Sequence, residues 1–64
     1  MNLAEGIIEE LKRNRELLAQ YRMIPTGAIG AALIQQRIDT AEKAMGQGDA
    51  IQMLKSYEEL KSTE

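Results

Sequence analysis

A chain of 64 residues with a formal charge of −2 and neither cysteine nor histidine has room for one small domain, without disulfides and without the usual ligands of zinc, haem or iron–sulfur centres. Acids and bases are interspersed along the chain, which argues against a general nucleic-acid binder, whose phosphate contacts need a strongly basic face. A single core below about 70 residues rarely supplies more than roughly 3–5 kcal/mol, so self-association is the stabilising device that remains. Trp, Phe and Val are absent, while Ala, Leu, Glu, Gln, Lys, Arg and Met dominate; these residues lose little freedom in a helix, and an all-α chain follows. No basic n-region precedes an apolar run, and no stretch approaches the ~20 apolar residues of a membrane span. The expectation is a soluble, cytoplasmic protein without a membrane partner.

A first helix is expected over about residues 2–23, with Asn2 as its N-cap. Leu3, Ala4, Ile7, Leu11, Leu18 and Tyr21 recur at helical spacing and form its inward face. Ile8 and Leu17 flank this stripe on opposite sides and widen the apolar surface beyond what one neighbour covers. Glu9 precedes Arg13 by four residues, a pair worth about 0.2–0.5 kcal/mol on an outer face. Gly6 weakens the first turns. Asn14 falls inside the seam, where one polar residue fixes register at some loss of stability. Arg15 and Arg22 are expected to lay their stems on apolar surface with the guanidinium in water.

Ile24 is pushed out of the α region by Pro25, which also lacks the amide to continue the first helix. Thr26 is then the expected N-cap of a second helix over about 26–45. This segment is apolar or small over more than half its circumference, which marks it as central. Gly27, Ala31, Ile34, Ile38, Ala41 and Met45 make one face, and Ile29, Leu33 and Ala44 another. The small residues Gly27, Ala28, Gly30, Ala31 and Ala32 permit close approach of a neighbouring backbone. Arg37 stands within the broad apolar arc, where an unpaired charge is costly, so it needs a carboxylate, carbonyls or a ligand.

Gly46 is the expected left-handed end of the second helix, with Gly46-Gln47-Gly48 as a reversing turn. Asp49, with Gln52 three positions on, caps a third helix over about 49–62. Ile51, Met53, Leu54, Tyr57 and Leu60 form its apolar face. The whole reads as a three-helix antiparallel bundle spanning residues 1–64 as one domain.

The residues offer no catalytic set. Ser56 and Ser62 have no evident base, and the adjacent pairs Glu9 with Glu10 and Glu58 with Glu59 diverge by about 100° around a helix. No cofactor is implied, and no metal site, since a carboxylate bundle needs inward-pointing glutamates. One stretch has binding potential. Thr26, Gly27 and Ala28 can present amides and a positive helix end to an anion such as a nucleotide, with Arg15, Arg22 and Arg37 as candidate sources of charge. PTGAIGAA lacks the lysine and spacing of a P-loop.

Tyr21, Pro25, Gly27 with Ala28, Gly30 to Ala32, Gly48 with Asp49, and the MLKSYEELK run from Met53 to Lys61 together resemble a group of short uncharacterised helical proteins of tailed phages and prophages. The likeness spans roughly residues 17–61. It implies a viral origin, action in the host cytosol and binding to a host enzyme or defence component; some helical proteins of this kind act as oligomers that sequester signalling nucleotides. The function expected is therefore a non-enzymatic accessory protein that self-associates, as a homodimer first, and binds a host protein. Ile8, Leu17, Tyr21, Ile29 and Leu33 are the candidate interface. The alternative is an oligomeric anion- or nucleotide-binding protein using the glycine-rich start of the second helix.

Overall fold

Asn2 turns the chain helical. Its side chain accepts the Glu5 N–H at 2.9 Å, satisfying one of the amides that a helix start leaves without a partner. The computed structural model describes residues 2–63. They form α1 (Leu3–Arg22), α2 (Ala28–Gln47) and α3 (Ala50–Lys61), with no strand among the described residues. Each boundary lies within about two residues of the sequence-based expectation, the usual latitude of helix ends.

Two cross-links give the relative direction of α1 and α2. Arg15 on α1 meets Glu42 on α2, and Arg22 meets Gln35, so rising numbers on one helix face falling numbers on the other. The chain reverses again at Gly48 and Asp49, and α3 climbs back until Thr63 reaches Arg13 and Arg37. The bundle is antiparallel from each helix to the next.

The core is one cluster: Ile7, Leu11 and Leu18 from α1, Ala31, Ile34, Ile38 and Ala41 from α2, and Leu60 from α3. Burying each large aliphatic side chain contributes about 1.5–3 kcal/mol. Small residues let two tyrosines pack flat. A Cβ on Gly6 would sit 3.0 Å from the Tyr57 ring, and one on Gly30 only 2.6 Å from the Tyr21 ring. The close approach expected of the small residues is thus partly an approach by aromatic side chains.

Several local expectations need correction. Gly46 lies inside α2, and the left-handed residue is Gly48 at φ 66°, so the turn is shorter than Gly46-Gln47-Gly48. Arg13 pairs with Glu10, not Glu9, and is drawn toward α3 because acceptors await it there. Ala44 is buried, whereas Ile29 and Leu33 on its supposed shared face are exposed, since α3 covers one part of that side of α2 and not the other. On α3, Ile51 and Leu54 point outward, and the inward positions go to Met53, Ser56, Tyr57 and Leu60.

By the 1.5 Å rise, a 20-residue helix spans about 30 Å and a 12-residue helix about 18 Å. Because α3 ends beside Arg13 and Arg37, it covers the foot of the α1–α2 hairpin and leaves the tip two helices thick.

Candidate functional site

The hairpin tip is built by a tight reversal. Past Arg22, Met23 N–H bonds to Gln20 O, Ile24 N–H to Tyr21 O, and Gly27 N–H to Ile24 O. Pro25 has no amide to offer, so the chain crosses between helices here. Gly27 is buried, and a Cβ there would collide with the Tyr21 carbonyl oxygen. The turn therefore leaves Thr26 one residue short of the capping position, and Gly27 becomes the N-cap of α2. The expectation that Thr26 caps this helix is corrected for that reason.

As a result α2 starts without a side-chain cap and without an acidic residue in its first turn. The other two helices are capped. Asn2 serves α1, and Asp49 accepts from the Ile51 and Gln52 amides at 3.1 and 3.2 Å. The first amides of α2, those of Ala28, Ile29 and Gly30, have no acceptor within their own helix, and they carry the positive end of its dipole.

Two cavities flank this tip, and Tyr21 lines both. One, of about 490 Å³, lies on the face away from α3 and is walled by Arg22, Ile24, Pro25, Ala28, Ala32 and Gln35. Arg22 holds Gln35 Oε1 at 3.1 Å, and Gln35 in turn donates to Asp39. The other, of about 250 Å³, opens where α3 stops, between Gly30, Leu33 and Arg37 on α2 and Ser62 and Thr63 beyond α3. Here Arg37 donates to Thr63 Oγ1 at 2.8 Å.

The structure brings together some of the residues singled out by sequence and separates others. Arg22 and Ala28 share one cavity, with exposed Thr26 in the adjacent turn. The Gly27 amide is already engaged by Ile24 O. Arg37 lies on the opposite face of the hairpin, and Arg15 is committed to Glu42 lower down. Among the interface candidates, Ile29 is 87% exposed, Ile8 56% and Leu33 48%, while Leu17 and Tyr21 are partly buried against the core.

Sequence reasoning missed Met23 and Ile24, which add exposed apolar surface at the tip. An apolar pair directly before a proline, beyond the reach of the helical stripe, was the signal available. It also missed Arg13, whose guanidinium bonds the carbonyls of Leu60 and Thr63 at 2.7 and 2.8 Å. Among the described residues no helix is long and apolar enough to cross a membrane. No family model matches the chain, and neither a curated protein nor a solved structure matches it.

Proposed function

We propose that the chain is a non-enzymatic accessory protein, of the phage or prophage type suggested by its sequence, that self-associates and acts by contact with a host factor such as a defence component. One observation carries this reading. Met23, Ile24, Ile29 and Leu33 leave large apolar surface exposed on and beside a hairpin tip that has no third helix over it. Large exposed apolar side chains supply surface for interaction, and a core this small gains stability from a partner. A homodimer is the first assembly to test. Sedimentation of the Ile29→Glu and Leu33→Glu variants is expected to shift toward the monomer with helicity retained. Unchanged assembly and unchanged biological effect in folded variants would overturn the proposal.

A second reading is favoured by a different observation: the uncapped start of α2 and the Arg22 guanidinium border the same cavity, with the Tyr21 ring as one wall. Helix amides, one arginine and an aromatic face suit a nucleotide-sized anion held at the tip, and apposed copies would enclose it. A native mass spectrum of the protein as purified from cells separates the two readings. An oligomer of bare subunit mass supports host-protein contact, and a fixed adduct of nucleotide mass per interface supports sequestration. In the latter case Arg22→Ala should remove the adduct and leave the oligomer intact.

A further inference from the structure

The three helices are not held to the bundle in the same way. Between α1 and α2 the contact is a ladder of aliphatic side chains, with Ile7, Leu11, Leu18, Ile34 and Ile38 all buried. From α3 only one apolar side chain, Leu60, is fully buried; Met53 and Tyr57 are partly buried, and Ile51 and Leu54 are exposed. Ser56 is buried with its hydroxyl lacking a hydrogen-bond partner among the described residues, which opposes docking.

Polar bonds to the last turn take up the deficit. A helix end leaves its final carbonyls without intrahelical donors, and here α1 supplies donors to them, while α2 reaches the Thr63 hydroxyl. Arg13, oriented by Glu10 at 2.9 Å, donates to Leu60 O at 2.7 Å and Thr63 O at 2.8 Å. Asn14 Nδ2 bridges the helices, donating to Glu10 O on α1 and to Leu60 O at 3.2 Å. Arg37 reaches Thr63 Oγ1 from α2. All of these act on residues 60–63, while at the opposite end the chain enters α3 through Gly48, whose left-handed φ of 66° is one that glycine adopts without strain.

We infer that α3 is a strap: it docks and releases as a unit, hinged at Gly48 and latched at its far end by Arg13, over the apolar strip of Leu11, Ile38 and Ala41. Release breaks the latch bonds together and uncovers that strip while the α1–α2 ladder stays in register. The elements with few buried apolar contacts are those that open below the global unfolding free energy.

Native-state amide hydrogen exchange of the intact protein, followed in a low-denaturant series, tests this without any substitution. The slowest α3 amides, in residues 56–61, are expected to exchange at least about tenfold faster than those around Ile34 and Ile38, with a smaller denaturant dependence. Arg13→Gln should accelerate α3 exchange by a further tenfold or so and leave the Ile34 and Ile38 amides unchanged. Arg15→Gln, which removes a bond that does not touch α3, should change neither. Equal exchange free energies and denaturant slopes in all three helices of the unmodified protein would overturn the inference, as would an Arg13→Gln variant that accelerates every helix equally.

Discussion

At its foot the α1–α2 hairpin is three helices thick, closed by Leu60 and latched by Arg13; at its tip it is two helices thick, with Ile29 almost wholly in water and α2 starting without a cap. Both ends carry small and aliphatic residues. The difference is made by the length of α3, which runs out beside Arg37. Cover by a third helix therefore changes along one axis. Ser56 and Leu60 are buried beneath that cover and Met23 and Ile29 stand in water beyond it, although Ile8, Ile51 and Leu54 are exposed at the foot as well.

The largest effect expected from this contrast is at Leu60, which is fully buried. Leu60→Ala should lose about 2–5 kcal/mol in urea unfolding, enough to release α3 from the α1–α2 hairpin. The matching truncation at the tip, Ile29→Ala, should stay within about 0.5 kcal/mol, as exposed positions do. Comparable losses at both sites would mean that the tip is already covered, by assembly or otherwise, under the conditions of measurement. Running the titrations at two protein concentrations distinguishes these cases, because a coupled assembly makes the midpoint concentration-dependent.

Next in size are the tip glycines. Gly27→Ala drives a methyl into the Tyr21 carbonyl oxygen, a backbone atom that cannot step aside, and should lose about 1–3 kcal/mol. Gly30→Ala meets ring atoms of Tyr21 instead. A ring can swing outward, so the loss should be smaller and accompanied by a change in Tyr21 fluorescence. The reverse order would place the rigid element of the tip in the ring and not in the turn.

The helical register was legible because the stripes of α1 and α2 repeat at a period that only a helix satisfies; Ile7, Leu11, Leu18, Ile34 and Ile38 are all buried as the pattern requires. Asn2 and Asp49 were legible as caps because each directly precedes a helical run. What could not be read was anything set by where α3 ends. Periodicity says that Ile51 and Leu54 lie on a helix but not how far around it the neighbours reach, so they joined the inward face wrongly. Arg37 was expected to need a carboxylate, carbonyls or a ligand, yet the acceptor it meets is the hydroxyl of Thr63, 26 residues on, which the docking of α3 brings to it. At the tip, Arg22 and Ala28 were both named, but only the crossing of α1 and α2 places them on one cavity and sends Arg37 to another.

The caps offer a finer contrast. Asn2→Ala and Asp49→Ala should each cost about 1 kcal/mol in thermal or urea unfolding, since both accept amides of a helix start. The smallest effect expected is at Thr26, which a sequence reader would place in the same class. Its hydroxyl caps nothing, because the turn closed by Gly27 N–H and Ile24 O moves the helix start one residue further, where the Tyr21 carbonyl tolerates no side chain. Thr26→Ala should therefore shift stability by less than about 0.5 kcal/mol. A loss near 1 kcal/mol would show that Thr26 caps α2 in solution after all. The amides of α2 would then be occupied, and the reading of the tip as an anion site would lose the observation that supports it.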